Sequence, residues 1–283
     1  MDTHTHTAIV SAADFTRAIT NAALFASADD TLPGLVAIHL TPGDKGRLML
    51  EATNRYIAAR EEIDLIDPAA YDSDWTADQI VAHLADAHDT PRPTGLGVSA
   101  GYTTAQADHD AKHAAGADHE HTVRPVPETT LDVVADVKQL TLIAKTVKQV
   151  AAQASPYAEP APMVTITWDD SDPHVQVKLG GGGIPDMTME ADRRDSPFPR
   201  IGAIFTDHRA KGTSKNAPAG WDIAVQWLAT LAKVDDGTKP KDRVARLAFD
   251  YAAGKPVKVT IGPRFTAMVI PMRPAETGEE ATT

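Results

Sequence analysis

The side chains best equipped for chemistry crowd into one polar tract. His109 and His113 stand four apart, with Asp108, Asp110, His119, Glu120 and His121 close by. Imidazoles at an i, i+4 spacing share a helical face and can bind zinc. Between Ala105 and His121, however, the apolar residues that would hold such ligands rigidly are missing, and no His-Glu-x-x-His pair occurs. No metal site is therefore assigned. Gly180-Gly181-Gly182-Gly183 invites a phosphate-loop reading, but no Lys-Ser or Lys-Thr follows it, and a flexible turn is expected instead. Nowhere does a nucleophile stand beside a base at a workable spacing. The chain is expected to be no enzyme and to carry no cofactor.

Two other groups of residues remain, and each depends on an element to position it. Lys138, Lys145 and Lys148 are spaced by seven and three, which puts them on one face of a helix. Met268, Ile270, Pro271, Met272 and Arg273 end an apolar strand.

The lysine row sits in a unit spanning 129–205. Leu131–Ala135 reads as a strand and Val137–Ala151 as a helix, with Leu140, Ile143, Ala144, Val147 and Val150 turned inward. Strands follow at Met163–Trp168, Val175–Leu179 and Met187–Ala191. The opening unit, 7–66, repeats this order. Thr7–Val10 is a strand, and Ser11 or Asp14 caps a helix with Phe15, Ala18, Ile19, Ala22 and Ala26 inward and Arg17, Thr20 and Asn21 outward. Strands at Leu35–Leu40, Arg47–Ala52 and Tyr56–Leu65 complete it. A third, shorter unit spans 220–273. It has a helix over Trp221–Lys233, with Trp221, Val225, Leu228, Leu231 and Ala232 as core, a strand at Val244–Phe249 and a closing hairpin. In that hairpin Val257, Val259 and Ile261 alternate with Lys258 and Thr260, Gly262-Pro263 turns, and Phe265–Ile270 returns.

Between these units lie an acidic, His-rich insertion at 67–128, in which Trp75–Ala87 can form one amphipathic helix, and a Lys/Gly/Ser/Pro linker at 206–219. Residues 274–283 read as a disordered tail. The fold class is α+β: one strand–helix–strands unit used three times, with helices on one face of antiparallel sheets.

Composition narrows the function. A formal charge of -12 argues against nucleic-acid binding by bulk electrostatics. It does not exclude a ring with its cations confined to an inner face. The absence of cysteine excludes disulfides and thiolate metal sites and fits a cytoplasmic location. No apolar run reaches a membrane span, and the polar Met1–His6 start is no signal peptide.

Several motifs together resemble the bacterial DNA sliding clamps, the β subunits of DNA polymerase III. Thr31-Leu32-Pro33-Gly34-Leu35 and Leu50-Glu51-Ala52-Thr53-Asn54 resemble the clamps' opening unit, and Phe198–Phe205 resembles their Phe-Pro connector. Lys255-Pro256-Val257 and Ile270-Pro271-Met272-Arg273 resemble their last hairpin and its Met-Pro-Met-Arg end. The resemblance covers roughly 7–66 and 129–273, and the short length fits a diverged or phage-type copy.

Such a resemblance implies a processivity factor that encircles duplex DNA and tethers a polymerase. Arg17, Lys138, Lys145, Lys148 and Lys233 would face DNA phosphates without sequence preference, although any solvated helix face carries lysines too. Met268, Ile270, Pro271, Met272 and Arg273 would line the groove that takes polymerase peptides; equally, Met268 and Ile270 alternate inward as plain core. Where many bacterial clamps have Arg before Thr-Leu-Pro, this chain has Asp29-Asp30. Bacterial clamps resemble six units per chain closed as dimers. Three units imply a tetramer, or a trimer if 67–128 hides a fourth. The alternative is a clamp-fold module that binds replication proteins without forming a ring.

Overall fold

Each of the first two helices starts where a strand ends in a capping side chain. The computed structural model describes residues 5–66, 129–155, 161–207, 223–249 and 256–270. The His-rich tract and its insertion, the linker from 208, Trp221, and Pro271, Met272 and Arg273 with the tail lie outside the described residues. Strand β1 (Thr5–Ser11) runs into α1 (Ala12–Ala23), where Ser11 Oγ accepts from the Asp14 amide at 3.0 Å. Strand β5 (Val133–Asp136) runs into α2 (Val137–Ala151) in the same way, with Asp136 Oδ1 accepting from the Gln139 amide at 2.8 Å. Each cap satisfies an amide that the first helical turn leaves orphaned.

The strands following α1 are β2 (Ala37–Gly43), β3 (Arg47–Thr53) and β4 (Ile57–Asp64); those following α2 are β6 (Met163–Asp169), β7 (His174–Gly180) and β8 (Met187–Asp192). Pro42 is the second-last residue of β2, opposite Leu48 near the hairpin tip. There its missing N–H costs little. The glycine run makes the β7–β8 turn, with positive φ at Gly181, Gly182 and Gly183.

The two units exchange their leading strands. A four-stranded antiparallel sheet has the order β1-β6-β7-β8, so β1 of the first unit completes the sheet of the second. Strand β5 reciprocates by pairing with β2. Helices α1 and α2 pack along each other beneath the sheets. One buried cluster unites both sheets and both helices, from Phe15 and Ile19 through Leu140 and Val147 to Ile166 and Val177. That interlock makes 5–65 and 129–192 one body.

The chain then crosses through a connector that ends in α3 (Gly202–Asp207) and supplies α4 (Val225–Leu231) with β9 (Ala245–Phe249), β10 (Val257–Ile261) and β11 (Phe265–Val269). Strand β11 pairs with β4, giving a seven-stranded sheet of order β5-β2-β3-β4-β11-β10-β9.

Two sequence expectations need correction. Asn21, placed on the polar side of α1, is fully buried; its amide bonds to a buried carboxylate and to the backbone near 235. The third helix is shorter than Trp221–Lys233 and does not bury the expected stripe. Val225 is 78% and Leu228 45% exposed, Ala232 is exposed, and Leu231 is the buried residue. The reason is packing: α1 and α2 cover each other, whereas no described helix lies along α4. Trp227 is instead partly buried and stacks on Tyr56, centroids 6.1 Å apart.

Candidate partner groove and helix face

Alternation along β4 separates two working faces. Glu61 points to α1, where it meets Arg17 and Asn21. Ala58 points to the other side and packs with Met268, Ile201 and Phe205. On that outer side the end of β11, the connector and the β3–β4 turn enclose a groove of about 190 Å³. From β11 and its end come Met268 and Ile270, from the connector Pro199, Ile201 and Ile204, and Leu35, Thr53, Arg55, Ala58 and Pro256 complete the lining. Met268 is 1% and Ile270 44% exposed. Both residues line the groove, and Met268 also belongs to the small buried cluster behind it.

The β3–β4 turn is tied down from within. Thr53 Oγ1 donates to the Ile57 carbonyl at 2.9 Å and accepts from the Arg55 amide at 3.2 Å. Asn54 Oδ1 accepts from the Tyr56 and Ile57 amides, both at 3.1 Å. These bonds hold Arg55 at φ 80°, in the left-handed region that non-glycine residues seldom enter. Sequence reading missed Arg55 and Thr53 as lining residues. The Asn54 side chain after a strand end was the available signal, since it caps tight turns.

The connector is held on the sheet by an unusual polar cluster. His39 Nε2 lies 2.7 Å from Asp132 Oδ1, and Nδ1 lies 3.4 Å from Glu51 Oε2, an ion-pair contact rather than a well-formed hydrogen bond. Arg60 holds Glu51 at 2.6 Å and lies over the Phe205 ring at 4.4 Å, while Phe198 packs on the His39 ring at 5.0 Å. Burial pulls the His39 pKa down, but its contacts with Glu51 and Asp132 outweigh burial and raise it above 6.5. Its stabilising contribution is thus complete below the unfolded value of about 6.5 and is lost as pH rises through the folded value. Melting temperature should fall as pH rises above about 6.5 for this reason. In His39→Gln that step should shrink, which thermal scans across the range would read. An unchanged step would assign it to other groups.

The helix side carries the expected cations, in unequal states. Arg17 is 19% exposed and committed within the molecule, with Nη1 2.5 Å from Asp14 and Nε donating to Glu61 at 3.0 Å. Burial would lower its pKa, but the two carboxylates raise it. Lys138 pairs with Asp30 at 2.9 Å in an exposed bridge, worth little in water. Lys145 and Lys148 are exposed on α2 and Lys233 is exposed beyond α4; none has an ion pair among the described residues. Lys148 and Arg17 border the same depression, of about 460 Å³, with Thr16, Thr20 and Asp235. The structure thus brings Arg17 and Lys148 together and sets Lys138 and Lys145 farther along α2.

Neither a family model nor a curated protein matches the chain. Solved structures do. The DNA polymerase sliding clamp of Pseudomonas aeruginosa, solved with a ligand, matches with a TM-score of 0.51 at 12% identity, covering 95% of this chain and 67% of that one. The DNA polymerase III subunit beta of Borrelia burgdorferi, in complex with a natural product, gives 0.53 at 10% identity over 95% and 64%. The DNA polymerase sliding clamp of Bacillus subtilis gives 0.52 at 12% over 95% and 65%. The chain spans about two thirds of the length of these clamps. With paired helices under antiparallel sheets that run on from one unit into the next, this chain has the fold of the bacterial DNA sliding clamps.

Proposed function

We propose that the chain is a clamp-type processivity factor, non-enzymatic, that assembles head to tail into a ring around duplex DNA and tethers a polymerase. The observation that carries this reading is the division of faces. Lys145 and Lys148, exposed and without an ion pair among the described residues, lie on the helix side, and an apolar groove lies on the face of β4 turned away from α1. A protein that must ride on DNA and hold a partner needs that separation. Among the described residues no helix is long and apolar enough to cross a membrane.

Phosphate contacts from the helix side would be sequence-independent and salt-sensitive. Solution mass by light scattering at micromolar concentration is the first test. A closed trimer or tetramer supports encirclement, and retention on nicked circular but not linear DNA completes the case. A persistent monomer without such retention sinks the ring. If the lysines contact phosphates, Lys145→Glu with Lys148→Glu should weaken binding equally across sequences and reduce the salt slope by about 2. An unchanged slope would remove both from the interface.

The non-ring reading, a clamp-fold module that docks replication proteins, is favoured by one specific observation. Arg17 and Lys138 are already matched by Asp14, Glu61 and Asp30, so two of the five cations bring little net charge to a DNA face.

A further inference from the structure

The groove carries a charge at odds with the rest of the chain. Overall, 39 acidic residues outnumber 27 lysines and arginines, yet among the described residues the groove lining includes Arg55 and no carboxylate. Arg55 is exposed and has no ion pair among the described residues. Asp29 lies close enough to sense it, but its Oδ1 is occupied by the Thr31 hydroxyl at 2.6 Å and the Thr31 amide at 3.0 Å. Two further cations border the groove. Arg200 is exposed between the lining residues Pro199 and Ile201, and Lys258 stands directly across from Met268 in the β10–β11 ladder. Neither of them has an ion pair among the described residues.

The backbone adds a second observation. Arg55 holds φ 80° at the mouth of the groove. Glycine would make that turn without steric cost. A long cation is held there in a disfavoured conformation by four hydrogen bonds from Thr53 and Asn54, and strain of this kind gathers at ligand sites.

We infer that the groove takes a partner peptide whose apolar anchor residues are flanked by a carboxylate, and that the Arg55 guanidinium selects that carboxylate. This rests on the groove being a peptide site. The apolar floor of Met268, Ala58 and Ile201 supplies contact area. Arg55 supplies discrimination, because a planar guanidinium can grip a carboxylate with two parallel hydrogen bonds and an amide with only one acceptor. Arg200 and Lys258 add attraction that salt would screen.

Fluorescence anisotropy on the full chain tests this with labelled peptides sharing a Leu-Phe pair, flanked by Glu-Asp or by Gln-Asn. The acidic peptide should bind at least tenfold more tightly at low salt. Arg55→Gly should erase that preference while still binding the neutral peptide, and should melt no lower than the parent because the turn is relieved. Arg55→Glu should favour a Lys-flanked peptide. Equal binding of acidic and neutral peptides, lost together in Ile270→Asp, would overturn the selection by Arg55 and leave the groove standing. Failure of every peptide to bind would overturn both.

Discussion

Replacing Asn21 by leucine is expected to destabilise the protein by roughly 3 kcal/mol or more at neutral pH, because several buried polar groups lose partners at once. Asn21 Nδ2 donates to Glu61 Oε2 at 2.8 Å and to the Asp235 carbonyl at 2.7 Å, and its Oδ1 accepts from the Asp235 amide at 2.9 Å. One side chain thus clasps the third unit to α1 and helps to solvate a carboxylate that is 2% exposed. Burial raises the Glu61 pKa above 4.5, although hydrogen bonds from Asn21 and the charge of Arg17 pull it down. A carboxyl group with a raised folded pKa contributes stability that is complete below the unfolded value and is lost as pH rises through the folded one. Leucine removes part of the downward pull, so the folded pKa climbs further.

The deficit of Asn21→Leu relative to the parent should therefore be greatest near pH 7 and shrink as pH falls and Glu61 takes up its proton. Urea titrations of both proteins at each pH would read the difference. A deficit that stayed constant with pH would mean that the Glu61 contact does not matter. One below about 1 kcal/mol would mean that water replaces the clasp.

The position of Asn21 shows where one-dimensional pattern stops. Helix α2 was legible to the residue, Val137–Ala151, because a 3.6 period, an aspartate cap and five apolar positions all agree there. The closing hairpin was legible because β-branched alternation breaks at Gly262, which holds φ 62°. Alternation tells a strand which face to bury but not which strand to join. The exchange of β1 and β5 between units was therefore invisible, although it makes two units one body. Periodicity likewise marked Val225 and Leu228 as a stripe but could not tell that nothing described covers it. Asn21 scores as polar, and only the arrival of residue 235 on α1 makes its burial favourable. At the groove, Met268 and Ile270 were readable from the chain's last strand. Arg55 was not, since its meaning lies in a backbone angle and in a groove lining that holds no carboxylate among the described residues.

Phe265→Ala is expected to cost about 3–5 kcal/mol, the usual range for emptying a buried phenylalanine site. Phe265 is 2% exposed at the start of β11, directly across from Glu61 of β4 and Ile261 of β10. Its ring lies 5.4 Å from that of Phe25, which is wholly buried just beyond α1. Both rings belong to the cluster that runs through both sheets and both helices. A cavity here should therefore lower the stability of the whole body rather than release the third unit alone. Denaturation should keep one transition, with its slope unchanged and its thermal midpoint lower by on the order of 10 °C. Phe265→Leu, which retains most of the volume, should cost less than half as much. Two separated transitions in Phe265→Ala would overturn this, because they would mean that β9–β11 fold as an appendage. The groove could not then be a rigid site, since Met268 stands on the strand that Phe265 anchors and Ile270 directly follows it.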